Sequence, residues 1–243
     1  MFHVEQNKTL SEAASTHDLK LDPGQVATLN AFAYAIEAAA GKFNLTGHHG
    51  IEAIITNLII SSILPLKTLN VPRGTKFCDL GTGAGVPGVP LGVYRNDLRG
   101  VLVDSSRKKI EFVQDFCKKA DVKNITALQA RVEDMGKDDA FRESCDFVLS
   151  RAMSKVFAAI ELAAPLVKVG GFIYIYSNQE RKSLHPEIRS HANELGLAAA
   201  DEADYHVLGI EENGLLFLKK RGTGIKYPRK YAAIIREANR IHE

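Results

Sequence analysis

The sequence predicts an α/β fold: a mainly parallel sheet flanked by helices, with an N-terminal helical extension. Three observations carry that prediction. From Lys76 onward, short apolar runs alternate with amphipathic segments of helical length, the pattern of βαβ units. Before Lys76, the chain up to about Leu66 reads as helical. At the junction stands KFCDLGTGAGVPGVPLGV, Lys76 to Val93, a strand, a glycine-rich turn and a helix in succession.

The elements follow in order. Ala27–Ala40 is alanine-rich with apolar residues at helical spacing; it starts after Asp22-Pro23 and stops at Gly41. A polar loop, KFNLTGHH, precedes a second helix over Ile51–Leu64. Then come a strand at Lys76–Leu80, a helix from Pro87, a strand at Gly100–Val103 and a helix at Arg107–Lys119. A strand at Asn124–Gln129, a loop at Ala130–Asp134 and a strand at Cys145–Leu149 continue the alternation. A helix at Val156–Leu166, a strand at Gly171–Tyr176 and a charged helix near His185–Glu194 complete it. Tyr205–Leu208 and Leu215–Lys219 are expected to close the sheet as a hairpin. The organisation expected is an extension at 1–70, a core at 71–221 and a basic segment at 222–243.

Length and composition set the bounds. At 243 residues and 45% hydrophobic content, the chain is long enough for one large domain with a sizeable core. The most apolar tract, Ile51 to Leu66, carries Glu52 and Asn57 and is too short to span a bilayer. The start, MFHVEQNKTLSEAA, lacks the basic cap and apolar core of a signal peptide. Cys78, Cys117 and Cys145 form no C-x-x-C pair, which argues for a reduced, cytoplasmic setting without disulfides or zinc. His48 and His49 have no further ligand at metal spacing and read as loop histidines, so no metal is expected. Net charge is only +2, yet Lys219, Lys220, Arg221, Lys226, Arg229 and Lys230 crowd the C-terminal end. With Tyr227 and Tyr231 among them, that end has the electrostatic footprint of a nucleic-acid contact.

The glycine loop is where a nucleotide-like cofactor is expected. Glycine lets the backbone turn sharply and lets a ligand approach main-chain N–H groups without a Cβ in the way. Gly83, Gly85 and Gly88 satisfy G-x-G-x-x-G, with Asp104 about twenty residues on, so a dinucleotide oxidoreductase fits the spacing. Asp79 just before the first glycine, and GVLVD ending in Asp104, give instead the usual look of an S-adenosylmethionine site. In an open parallel sheet, ligands sit beyond the carboxyl ends of the strands. The candidates are therefore Asp79, Gly81 and Gly83; then Asp104, whose carboxylate suits two ribose hydroxyls; then Arg131-Val132-Glu133-Asp134 for an adenine edge; then Ser150-Arg151-Ala152.

These residues resemble the RsmG (GidB) family, bacterial methyltransferases of guanine N7 in small-subunit ribosomal RNA. The matching segments are Asn44-Leu45-Thr46, Asp79 to Pro90, Val103-Asp104-Ser105, Arg131-Val132-Glu133, Ser150-Arg151-Ala152 and Gly222–Lys230, in family order along nearly the whole chain. Gly85-Val86-Pro87-Gly88-Val89-Pro90 is the most distinctive. The resemblance implies a class I S-adenosylmethionine-dependent methyltransferase (Rossmann-like) fold. It implies S-adenosylmethionine as cofactor, held by Gly81, Val86, Val132, Glu133 and Arg151, and a substrate in 16S ribosomal RNA or the small ribosomal subunit. Arg151 is the expected catalytic residue, and Asn44 joins the basic cluster as an expected RNA contact. A monomer with no membrane partner is expected. Two segments depart from the family: Asn57-Leu58-Ile59-Ile60-Ser61 stands where His-x-x-Asp-Ser is usual, and Ser177-Asn178 where Lys-Gly is frequent. An oxidoreductase using the same loop, or a diverged RNA-binding homologue, is the alternative reading.

Overall fold

A computed structural model describes residues 10–40, 45, 47–67, 71–177, 184–200 and 214–241. Seven strands form one sheet: β1 (Lys76–Leu80), β2 (Arg99–Asp104), β3 (Ile125–Gln129), β4 (Cys145–Arg151), β5 (Val167–Tyr176), β6 (Leu197–Ala199) and β7 (Leu215–Lys219). Their order is β3-β2-β1-β4-β5-β7-β6. The first five run parallel; β7 is antiparallel to β5 and to β6. The strand order reverses between β1 and β4, so the crevice of this doubly wound sheet opens where the glycine loop leaves β1. This is the class I methyltransferase fold expected from the sequence.

Helices cover both faces. α1 (residues 10–16), α2 (Pro23–Ala40), α3 (residues 51–66), α4 (Gly88–Tyr94) and α5 (Arg107–Lys119) contribute to one apolar cluster. There Phe32 packs on Phe116 at 4.7 Å between ring centroids, and Phe77, Phe147 and Phe172 stack in a row across β1, β4 and β5. α6 (Val132–Met135), α7 (Val156–Ala163), α8 (Pro186–Glu194) and α9 (Tyr231–Ala238) supply the second cluster on the opposite face. Alternation along β1 explains the division, because Phe77 points into the first cluster while Cys78 and Leu80 point into the second. Truncating a fully buried ring such as Phe77 to alanine is expected to cost about 3–5 kcal/mol.

Several expectations are corrected. Residues 130–134 are not all loop: Val132–Met135 forms a one-turn helix, too short to leave a periodic signal. β5 starts earlier than Gly171, at Val167, and Gly170 takes a φ of +87° within it. Of the expected hairpin, Leu215–Lys219 is a strand, while Tyr205–Leu208 lies outside the described residues; β7 pairs with Leu197–Ala199. α3 is not uniform either. It opens as an α-helix (Ile51–Ile54), widens into a π-helical turn (Ile55–Ile60), and tightens through Ser61–Ile63 to a 3-10 end at Leu64–Leu66. The basic C-terminal segment contains α9, whose Ile234 and Ala238 are fully buried and hold it on the second face.

Candidate active site at the carboxyl ends of the strands

The loop after β1 turns through three positive-φ glycines, Gly81 (+69°), Gly83 (+57°) and Gly85 (+91°). A Cβ on Gly81 would lie 2.5 Å from the Met153 side chain, so that position admits only glycine. Above Gly83 the space is open, with only the Gly81 carbonyl oxygen nearby at 3.9 Å. Asp79 lies beneath the loop, fully buried. Its Oδ2 accepts from Thr82 Oγ1 (2.6 Å) and from the Gly88 N–H (2.9 Å), tying the turn to the start of α4. Its other oxygen has no hydrogen-bond partner. Burial raises the carboxyl to about 7 against the pull of those two hydrogen bonds.

Asp104, at the end of β2, braces the same loop. Its Oδ2 accepts from the Gly83 N–H (3.0 Å) and its Oδ1 from the Ser106 N–H (2.8 Å). Each carboxylate oxygen can accept a second bond, so this bracing leaves acceptor capacity toward the crevice. Past β3, α6 presents Val132 and Glu133. A cleft of about 280 Å³ is lined by Gly81, Asp104, Val132, Glu133, Met153 and Tyr231. A second hollow of about 340 Å³ lies across the glycine loop, lined by Leu58, Gly83, Val86, Lys109 and Arg151 with His48. Gly81 and Lys109 border both, so the two are halves of one crevice.

Arg151 ends β4 and reaches the N-terminal helices. Its guanidinium donates to Ser61 Oγ and Ser62 Oγ (3.0 Å each) and to the Asn57 carbonyl (2.5 Å), and sits 5.5 Å from the Tyr176 ring centre. Tyr176 Oη donates to the Ser62 carbonyl (2.6 Å). Burial lowers the guanidinium below its usual value, although it keeps its charge at any working pH. Of the residues that depart from the resemblance, Asn57 meets Arg151 at this junction through its carbonyl, and Ile60, beside Ser61, is fully buried. Ser177 borders a further hollow of about 410 Å³ beyond β4 and β5, which adjoins the crevice at Ala152, whereas Asn178 lies outside the described residues.

The basic cluster divides. Lys219 is buried, donating to the Ala164 carbonyl (2.5 Å) and to Thr223 Oγ1, and burial lowers it to about 8. Arg229 grips Glu161 through its backbone N–H, Nε (both 2.9 Å) and Nη2 (2.6 Å), and reaches Glu237 with Nη1 (2.5 Å). Those two cations are engaged inside the fold. Sequence reading could not separate them from their neighbours, because Glu161 lies 68 positions away in the chain. Arg221 bonds to the Asn193 carbonyl and Lys226 to Glu194 (2.9 Å), both on the surface; Lys220 and Lys230 are exposed. Tyr227 is buried against His191, while Tyr231 is on the cleft. Asn44 lies outside the described residues. The sequence reading missed Lys109 and Met153; for Met153 the signal was its place just past a strand end.

Comparison with known proteins agrees with this geometry. A family model described as rRNA small subunit methyltransferase G (GidB) matches residues 25–214. The ribosomal RNA small subunit methyltransferase G of Fervidobacterium nodosum is 38% identical over 198 residues, covering 81% of this chain and 91% of the relative. Its counterpart from Dictyoglomus thermophilum is 31% identical, covering 93% and 95%. That of Desulforamulus reducens is 29% identical, covering 91% and 93%.

Proposed function

The chain belongs to the rRNA small subunit methyltransferase G (GidB) family, and from that premise we propose that it transfers the methyl group of S-adenosylmethionine to N7 of a guanine in 16S ribosomal RNA. One observation carries the cofactor half of the reading. The Gly83 N–H and the Asp104 carboxylate are bonded to each other at the floor of a crevice that no Cβ fills. The unpartnered oxygen of Asp79 adds a buried acceptor close to the loop, which suits a positively charged ligand.

The residues present fit the cofactor. Gly81, Gly83 and Val86 would face its methionine end, with Asp79 beneath. Asp104 would take the ribose hydroxyls, and the Val132 backbone with Glu133 the adenine edge. S-adenosylmethionine supplies an electrophilic methyl group on a sulfonium centre. Guanine N7 carries a lone pair and no proton, so the chain needs no general base; its work is positioning and the exclusion of water. Arg151 suits a positioning role, since its guanidinium fixes α3 against the ends of β4 and β5 and so shapes the Val86 side of the crevice. No metal enters the proposal. The exposed Lys220, Arg221, Lys226 and Lys230 would hold RNA phosphates, giving affinity and orientation more than sequence choice. No helix among the described residues is long and apolar enough to cross a membrane, and the proposed site of action is the cytoplasm, with the ribosomal subunit as partner and a monomeric enzyme.

Calorimetric titration with S-adenosylmethionine and, separately, with NAD(H) tests the cofactor reading. Saturable binding of the first alone is expected. Binding of NAD(H) alone would return the glycine loop to the oxidoreductase reading that its spacing also permits.

A further inference from the structure

Tyr231 breaks the pattern of its helix. α9 turns one stripe of residues inward: Ile234 and Ala238 are fully buried, and Ile241 just beyond it is 2% exposed. Tyr231 starts that stripe three residues before Ile234, yet it is 36% exposed. Its side is not the solvent side of the helix. It borders the cleft lined by Asp104, Val132 and Glu133.

Its position is held from both ends. Before it, Arg229 is locked to Glu161 on α7, and Tyr227 is buried edge-on to His191. After it, Lys155 Nζ donates to the Ala238 carbonyl (3.2 Å) and the Ile241 carbonyl (3.4 Å), closing the end of α9. An aromatic ring at a cleft that the Asp104 and Glu133 carboxylates also line is suited to a flat, hydrogen-bonding heterocycle.

We propose that Tyr231 is a positioning residue for the cofactor, its ring packing on the adenine while Glu133 takes the adenine edge and Asp104 the ribose hydroxyls. The proposal rests on the reading of this cleft as the S-adenosylmethionine site. It makes the C-terminal strap part of the cofactor site, with α9 carrying one wall.

The test compares Tyr231→Ala and Tyr231→Phe by calorimetry with S-adenosylmethionine and S-adenosylhomocysteine, alongside thermal midpoints without ligand. Tyr231→Ala is expected to weaken both ligands on the order of 10-fold, the scale of aromatic–base stacking. Tyr231→Phe is expected to bind within about 2-fold of the unaltered chain, because it keeps the ring face. A purely structural role would shift the midpoint and leave the affinities alone, and that result overturns the proposal. So does a Phe variant as weak as the Ala variant. The chain has no tryptophan, so Tyr231→Trp places a single indole at the cleft, which covers the case of an Ala variant that fails to fold. Its emission should change saturably with S-adenosylhomocysteine; unchanged emission at saturation overturns the proposal. If the unaltered chain binds neither ligand, the reading of the cleft has failed, which is a separate and visible outcome.

Discussion

Replacing Arg229 by methionine should loosen the C-terminal strap, by an amount that can be worked from Glu161. That carboxylate is fully buried on α7. It accepts from His191 Nε2 (3.0 Å), from the Arg229 backbone and from the Arg229 guanidinium. Burial alone would raise it, but the hydrogen bonds from His191 and Arg229 overcome burial and hold it at about 2, against an ordinary value of 4.5. A depressed acid stabilises the fold above its unfolded value and loses that contribution as pH falls through its folded value. The window here is pH 4.5 down to about 2. The shift corresponds to about 3 kcal/mol at neutral pH, shared between His191 and Arg229. Removing the guanidinium takes its share and leaves a buried charge with fewer partners, so a loss of about 2–3 kcal/mol is expected. For a chain of this size that lowers the thermal midpoint by roughly 5–10 °C. Differential scanning calorimetry at pH 7 measures it, and a pH series adds a second signature, since Arg229→Met should lose stability less steeply between pH 4.5 and 3. A midpoint within about 1 °C of the unaltered chain would refute the claim that this ion pair anchors the strap.

Other outcomes follow from the site. Asp104→Ala removes the acceptor for Gly83 and Ser106 and should weaken S-adenosylmethionine binding by about 1–3 kcal/mol; unchanged affinity by calorimetry removes Asp104 from the site. Asp79, raised to about 7 by burial, is protonated over part of the range where its unfolded form is charged, so this group's contribution to stability falls as pH rises from about 4 to 7. If its ionised form favours a cationic ligand, affinity rises between pH 6 and 8; Asp79→Asn should flatten that rise, and a slope that survives the substitution contradicts it. Replacing Lys220, Lys226 and Lys230 by alanine should weaken RNA binding and reduce its salt dependence by up to about one unit of slope per lost phosphate contact. Lys219→Met should leave the salt slope alone, because its ammonium is enclosed between Ala164 and Thr223; a changed slope would mean that Lys219 reaches RNA.

What was legible in the sequence was whatever local pattern dictates. β1 and α5 appear with the bounds read from the sequence, because the apolar run before the glycines and the amphipathic spacing from Arg107 to Lys119 are each self-contained signals. The glycine loop and Asp104 were found for a similar reason: strand-end logic places them together without coordinates. Elements defined by pairing or by register escaped. Leu197–Ala199 is a strand only because β7 lies beside it, and the π-helical turn in α3 changes hydrogen-bond register without any change in composition. Charge concealed α9, whose buried stripe runs through a segment read as a nucleic-acid contact. Lys219 and Arg229 looked like their neighbours on paper; only folding brings them to Ala164 and Glu161. Arg151 was expected at the reacting centre; it lines the crevice with Gly83 and Val86, and its bonds to Ser61, Ser62 and Asn57, which no local pattern in the sequence announces, also clamp the sheet to α3.

The most direct measurement is transfer of labelled methyl from S-adenosylmethionine to small ribosomal subunits, and to naked 16S RNA, from a strain lacking the modification, followed by chemical cleavage at 7-methylguanosine. The proposed activity predicts label in 16S RNA with cleavage at a single guanine. Label on another atom or another RNA would contradict the proposed target, and no label on either substrate, from protein that binds the cofactor, would contradict the proposed activity itself.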